Sequence, residues 1–526
     1  MTRRLRFFAL SCLATLGAAS AFATDADACG GCFHAADDPE TTVVTGHRMA
    51  FAISPTQTVL WDQVEYTGSP QEFAWVLPIK KGARLEVASN AWFEALDAAT
   101  STRVVQPQLF CADFGGGDFD NFESTDSGGS GCGCFMMSAD SANYAGGGTG
   151  GGEDLAPPPP PVEVVRRETV GPYEVVTLAT DTPGVLTDWL QTHGFAVDAE
   201  IQPIIDQYVA EDFDFIAMRL APGEGVQSMK PVRVLSPGAT PVMPLRMVAA
   251  GTGANTAITL YVIGEGRWEA KNFPNAKLEQ AEVTWDFATQ SSDYSVLRSE
   301  VLAKDNARTF LSSYARQGPL LSPVQNSTGQ MTRYMTDASP QQYSTIGDLF
   351  VQTAILNGEA SEFEADCAGR FLKYAPSADV VVNPCAEDGT CAAVEPGQID
   401  ARDFECAGVM EGTTLDDLAV AFTGMHPSSV WLTRIEGNLS RVALELDLEL
   451  QAEKTQVEVD NWLTAGKKQN TPCVESAVAP LLKDTGATPR ERRQRKEFAA
   501  ALLALVGIGA ALGRRVRRAL PAPSAQ

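Results

Sequence analysis

The sequence predicts an α+β protein. It combines a β-rich N-terminal module, a mixed α+β middle lobe, a helix-rich, disulfide-containing C-terminal part and a single C-terminal transmembrane helix. Three observations carry this reading. Apolar residues alternate with period two between Thr41 and Pro78. Strand and helix patterns follow one another as strand–helix–helix–strand between Tyr173 and Leu220. Helical periodicity then dominates from Asp293 to Gly369.

Taken in order, residues 1–23 form a secretory signal peptide. Arg3, Arg4 and Arg6 precede the apolar run Phe7–Phe22, and Ala21-Phe22-Ala23 supplies a cleavage site. Ala26-Asp27-Ala28 is a second site, which would start the mature chain at Cys29. In the module 24–111, strands are marked by Met49, Phe51 and Ile53, by Val59 and Trp61, and by Phe73, Trp75 and Leu77. Thr67-Gly68-Ser69-Pro70 makes a turn, and Asn90 caps a helix through Trp92, Phe93 and Leu96. Residues 112–161 carry the tract Gly146–Gly152, five prolines at Pro157–Pro161 and scattered acids such as Asp113, Asp118 and Asp120. That composition makes a solvated linker without a core.

The lobe 162–290 opens with strands at Val162–Val165 and Tyr173–Leu178. Thr182-Pro183 then starts a helix whose apolar face holds Val185, Leu186, Trp189 and Leu190, and Gly194 stops it. A helix over Ile201–Ala210 and strands at Phe213–Leu220, Val232–Leu235, Leu245–Ala249 and Thr256–Ile263 complete the lobe. The part 291–480 is expected to hold helices at Tyr294–Ala303, Ala307–Tyr314, Ile346–Leu356 and Phe363–Leu372. A Cys-rich connection over 376–412 follows, which disulfides must hold, then strands at Val430–Arg434 and along Leu444, Leu446, Leu448 and Leu450. The transmembrane helix is assigned to 498–513. Its uncharged run, Phe498–Leu512, spans ~22 Å against a ~30 Å hydrocarbon core, and the flanking arginines extend it by snorkelling.

The net charge of -26 is unevenly spread. Both ends are basic, so the body between them is more acidic than the whole. Such a surface repels phosphate backbones and argues against nucleic-acid partners. The membrane is the expected partner, through the C-terminal helix. Removing Cys12, which lies in the signal peptide, from the 11 cysteines leaves an even number in the mature chain, as disulfides in an exported protein require. Cys29-Gly30-Gly31-Cys32 has thiol–disulfide spacing but stands at the mature N-terminus, away from the strand-to-helix turn that activates such pairs. Cys29, Cys32, His34, Cys132 and Cys134 are the candidate metal ligands.

No phosphate-binding loop, zinc-protease helix or nucleophile elbow is present. The four histidines are His34, His47, His193 and His426. His193 is placed at a helix C-terminus, where a cation complements the dipole; His426 sits in a turn before a strand, and His47 in a polar stretch. The acid pairs Asp62 with Glu65 and Asp416 with Asp417 are expected to face solvent, and Trp61, Phe73 and Trp75 to pack in a core. No catalytic residue, enzyme activity or cofactor is assigned.

Several segments resemble one bacterial family. They are Ala28-Cys29-Gly30-Gly31-Cys32, Gln71-Glu72-Phe73-Ala74-Trp75-Val76-Leu77-Pro78, Val170-Gly171-Pro172-Tyr173-Glu174-Val175-Val176, and Trp189-Leu190 with Gly194-Phe195. Lys230-Pro231-Val232-Arg233, Pro241-Val242-Met243-Pro244-Leu245-Arg246 and Leu432-Thr433-Arg434-Ile435 extend the likeness. The resemblance is to the domain-of-unknown-function family 2330. It implies an exported, often tail-anchored envelope protein without an assigned activity, and supplies no catalytic residues. The Gly/Pro-rich 112–161 insertion departs from the commoner pattern. The expectation is an exported, single-pass envelope protein of the cytoplasmic membrane, with its ectodomain outside in a non-enzymatic binding or structural role. The alternative is a thiol-redox or metal-handling protein that uses Cys29, Cys32, Cys132 and Cys134.

Overall fold

Two packed sheets and a layer of helices, with three further sheets of two or three strands, organise the described residues. The computed structural model describes residues 32–33, 43–67, 74–108, 162–193, 197, 199, 201–224, 228–249, 252–326, 329–378, 398–399, 404 and 406–467. Apart from Gln108, these residues belong to one compact unit. The expected signal peptide, the linker 112–161 and the transmembrane segment 498–513 lie outside them. Among the described residues no helix is long and apolar enough to cross a membrane.

The strands of the first third are β1 (Cys32–Phe33), β2 (Val43–Ile53), β3 (Gln57–Thr67), β4 (Ala74–Ile79), β5 (Arg84–Val87) and β6 (Arg103–Val105). The middle holds β7 (Glu163–Val170), β8 (Tyr173–Ala179), β9 (Asp214–Leu220), β10 (Val232–Pro237), β11 (Val242–Met243), β12 (Thr252–Glu265), β13 (Trp268–Ala270) and β14 (Asn275–Ala276). After them come β15 (Thr284–Asp286), β16 (Ser291–Ser292), β17 (Phe310–Gln317), β18 (Val430–Ser440), β19 (Leu448–Ala452), β20 (Trp462–Thr464) and β21 (Gly466–Lys467). The helices used below are α1 (Asn90–Thr100), α2 (Val185–Thr192), α3 (Gln202–Ala210), α4 (Tyr294–Leu302), α5 (Ile346–Leu356), α6 (Glu362–Ala378), α7 (Ala407–Met410) and α8 (Asp416–Phe422).

The larger sheet has eight strands in the order β14-β17-β18-β12-β2-β3-β10-β5, with β12 and β2 parallel at its centre. The stretches 24–111, 162–290 and 291–480 all supply strands to it. Its strands are buried on both faces, and their alternation sorts side chains between two cores. Met49, Phe51, Ile53, Leu60, Ile258 and Leu260 face one way. Ala50, Ala52, Val59, Trp61, Tyr261 and Ile263 face the other, under α1, α5, α6 and α8. Trp92 of α1 sits at the middle of that second core, its ring 6.0 Å from Trp61 and 5.1 Å from Phe350. The smaller sheet, β1-β4-β9-β8-β7, packs one face on α2 and α3. Its other face meets Leu85, Val232 and Val234 of the eight-stranded sheet.

Most predicted elements are present with shifted ends, and three differ in kind. Ala307–Tyr314, expected to be helical, is mostly the strand β17, buried at seven successive positions between β14 and β18. A strand buried on both faces loses the polar alternation that would have marked it. Leu245–Ala249, expected as a strand, contains the 3-10 turn Arg246–Ala249, closed by the Val248 amide donating to the Leu245 carbonyl at 2.9 Å. The run Leu444–Leu450 divides into the 3-10 turn Ala443–Glu445 and the start of β19. The Thr182-Pro183 helix start also moves. Helix α2 begins at Val185 behind Gly184, whose φ of 83° suits glycine and whose amide donates to Asp206 at 2.6 Å.

Cys367 of α6 is disulfide-bonded to Cys406, just before α7. The bridge brackets part of the Cys-rich connection expected over 376–412, and its 39-residue sequence separation makes it a large constraint on the unfolded chain. A Cys367→Ala/Cys406→Ala double variant should lose roughly 4 kcal/mol of stability by the loop-closure relation. Urea unfolding with and without reductant checks this. Reductant should destabilise the wild type by about that amount more than it destabilises the variant.

Candidate functional site

Strand β10 reads Val232-Arg233-Val234-Leu235. Val232 and Val234 turn toward the smaller sheet, which sends Arg233 to the helix-covered face with Leu235. There Arg233 lies between its cross-strand partners, Trp61 on β3 and Glu86 on β5. Its side chain is 0% exposed. A guanidinium so buried must be paired, and three carboxylates meet it. Nε and one terminal nitrogen donate to Glu86 Oε2 at 2.8 and 2.7 Å. The other terminal nitrogen donates to Asp417 Oδ1 at 2.8 Å. Asp416 Oδ2 lies at 3.3 Å.

Asp416 and Asp417 open helix α8, and their expected solvent-facing placement is overturned. Asp417 is fully buried. It accepts from Trp61 Nε1 at 2.7 Å and from the Ser89 amide at 2.8 Å, besides Arg233. Asp62, of the other pair, is also buried, hydrogen-bonded to His47 at 3.1 Å. Acid pairs look cheap in so acidic a chain, but Asp416 and Asp417 have partners from distant sequence and Asp62 has one on the neighbouring strand of its hairpin. Burial pushes the Asp417 carboxyl up to about 6, against the opposing pull of Arg233, Trp61 and the Ser89 amide. Burial raises Asp416 as well, with Arg233 and the Gly412 amide opposing.

Asp416 is the point at which this buried cluster reaches the surface. It lines a cleft of about 530 Å³ together with Arg84, Glu411, Thr56, Gln57 and Ser236. The turn between β2 and β3, closed by the Ser54 amide donating to the Gln57 carbonyl at 2.9 Å, forms one wall. Gln57 Nε2 donates to the Val420 carbonyl at 2.9 Å and so ties that wall to α8. The cleft offers two carboxylates, hydroxyls and one guanidinium, which bridges Glu86 at 3.0 Å. Among the described residues no histidine or cysteine lines it. Its chemistry suits the holding of a polar or cationic group.

The residues singled out in the sequence are scattered. Cys32 is in β1, opposite Trp75 at the edge of the smaller sheet, while Cys29, His34, Cys132 and Cys134 lie outside the described residues. Among the described residues no group of three or more His, Cys, Asp and Glu could hold a metal ion. His193 ends α2, its ring stacked on Trp189 at 3.7 Å. His426 precedes a 3-10 turn and pairs with Glu265 at 2.7 Å. His47, expected in a polar stretch, is buried on β2. Trp61 and Trp75 are core residues, and Phe73 lies outside the described residues. The signal for the Arg233 cluster is an arginine inside the apolar run of a strand, facing the same side as Leu235.

Residues 23–336 match the family model described as "Uncharacterized protein conserved in bacteria (DUF2330)", more than half of the 526 residues. The chain belongs to this family. No curated protein and no solved structure matches it. In this DUF2330 protein the family match covers β10 with Arg233 and the wall of the cleft from Thr56 to Pro237, but stops before α8. The acids that neutralise Arg233 therefore come from both sides of the matched boundary.

Two outcomes follow for stability. Replacing Arg233 by Met leaves three carboxylates around an uncharged side chain, and unfolding at neutral pH should show a loss of about 3–5 kcal/mol. Asp417 binds its proton more tightly in the folded state, so its contribution is full below its unfolded pKa near 3.8 and declines as pH rises to about 6. The stability of the wild type relative to Asp417→Asn should fall across that interval, by about 1.4 kcal/mol per pH unit at most. Urea midpoints between pH 4 and 6.5 measure it; a difference that is flat or rises with pH contradicts the assignment.

Proposed function

We propose that this chain is an exported, membrane-anchored envelope protein whose ectodomain acts by binding rather than by catalysis. The Cys367–Cys406 disulfide is the observation that carries the export half, because such bridges persist in oxidising compartments. The basic, apolar N-terminal segment and the apolar run Phe498–Leu512 between arginine clusters support the same topology, with the ectodomain outside and the terminal arginines in the cytoplasm. The cleft beside Asp416 supports the binding half. It combines carboxylates and hydroxyls, and its arginine is already engaged with Glu86. A small amine-bearing ligand fits that balance.

Two measurements test this reading. After alkaline carbonate washing the full-length protein should stay in the membrane pellet, and protease added to intact spheroplasts should digest its body; release into the supernatant, or protection from protease, contradicts the topology. Spermidine should raise the melting temperature of the wild type, and Glu411→Lys should abolish that rise. A wild type unmoved by millimolar spermidine contradicts the ligand class.

A further inference from the structure

A small cavity of about 10 Å³ lies where the eight-stranded sheet meets β4 and the 3-10 turn Arg246–Ala249. Its walls bring together His47, Met49, Asp62, Met243 and Met247, with Trp75 among the apolar remainder. All three methionines are buried, and His47 is 2% exposed. The local sequence explains the convergence. A bulge in the β2–β3 ladder falls between Val44 and Gly46, next to His47. Gly46 allows the close approach there, since an added Cβ would stand 3.0 Å from Glu65 Oε2 and 3.1 Å from the Ala257 carbonyl. From that point strand alternation puts His47 and Met49 on one face. Met243 ends β11, Pro244 follows it, and the 3-10 turn brings Met247 to the same wall.

His47 Nδ1 lies 3.1 Å from Asp62 Oδ1. Against a carboxylate that nitrogen carries the proton, so in the neutral ring Nε2 keeps a free lone pair. Nε2 is buried and has no hydrogen-bond partner among the described residues. Asp62 is 3% exposed, and among the described residues no Lys or Arg bridges it. The site therefore presents an unused imidazole nitrogen and three thioethers, with one buried negative charge behind the imidazole. A water there would want two to four polar partners, and thioether sulfur is a weak acceptor. Hard cations require oxygen ligands. Thioether sulfur with neutral imidazole selects soft cations, Cu(I) first among the common ones.

We propose that this cavity is a buried site for one soft monovalent cation of the Cu(I) class. His47 Nε2 and the thioethers of Met49, Met243 and Met247 ligate it, and Asp62 orients the imidazole and balances the charge. The carboxylate–histidine–metal arrangement is the one by which proteins fix a ligand's tautomer. Flexible methionines can close onto an ion from a cavity sized for a water. The proposal is independent of the cleft beside Asp416 and of the cysteines.

The test titrates full-length, detergent-solubilised protein, with free thiols alkylated, with Cu(I) under anaerobic conditions against a chromophoric Cu(I) chelator. The wild type should take up one equivalent. Met243→Leu/Met247→Leu nearly conserves core volume and should weaken binding by at least about tenfold, as should Asp62→Asn; His47→Gln should weaken it further. Far-UV circular dichroism verifies the fold of each variant. X-ray absorption at the copper edge of the wild type provides a readout without mutation, and should show sulfur scatterers together with nitrogen. No stoichiometric uptake by the alkylated wild type, unchanged affinity in a folded Met243→Leu/Met247→Leu protein, or copper without sulfur neighbours would overturn the assignment.

Discussion

The structure depends on the neutralisation of Arg233. This guanidinium has no solvent exposure and sits where β3, β5, β10 and α8 converge. Removing a charge from water costs several kcal/mol even after relaxation, and good geometry must offset that cost. Here one cation meets Glu86, Asp416 and Asp417. A second cation, Arg84, takes the other oxygen of Glu86, and neutral donors stabilise the remaining acids: the Trp61 indole and the Ser89 amide on Asp417, and the Gly412 amide on Asp416. The cluster bolts the helical layer to the end of the large sheet and sets the floor of the cleft.

The same device recurs at two other joints. Arg246 is held by Glu211 at 2.9 and 2.5 Å and by Asp447 at 3.0 and 2.6 Å, with its guanidinium 4.0 Å above the Tyr208 ring. Arg434 pairs with Asp97 at 2.7 Å and with Glu436 at 2.8 Å. Each hub joins segments far apart in the chain: 86, 233 and 417; 211, 246 and 447; 97, 434 and 436. Arginine suits the role because its planar fork makes several fixed bonds at once and never loses its charge. An acidic chain, with 66 acids to 40 bases, has spare carboxylates, so its buried arginines find partners from several elements. Part of the strongly acidic composition is thus structural rather than a property of the surface.

Several elements are legible in the sequence alone. The alternation at Met49, Phe51 and Ile53 marks β2, and the order strand–helix–helix–strand is found as β8, α2, α3 and β9. Helix α5 spans the predicted Ile346–Leu356. The failures share one cause. A residue's partner lies outside the window in which periodicity is read. Strand β17 carries no strand alternation because both of its faces are buried. Nothing nearby in sequence neutralises Asp416, Asp417 or Asp62, so local reading leaves all three in water. His47 stands beside Arg48 in a stretch that reads as polar, although the pleat sends it to the core with Met49.

What the sequence by itself determined is the α+β class, the family and the spacing of its strands, because these follow from local periodicity and short motifs. What only the tertiary structure decided is which polar residues are buried together. A charge becomes a floor, a bolt or a ligand according to its neighbours, and desolvation energy is a property of the packed site rather than of the residue. Arg233 under α8 and His47 among three methionines are both products of strands meeting elements drawn from distant parts of the chain.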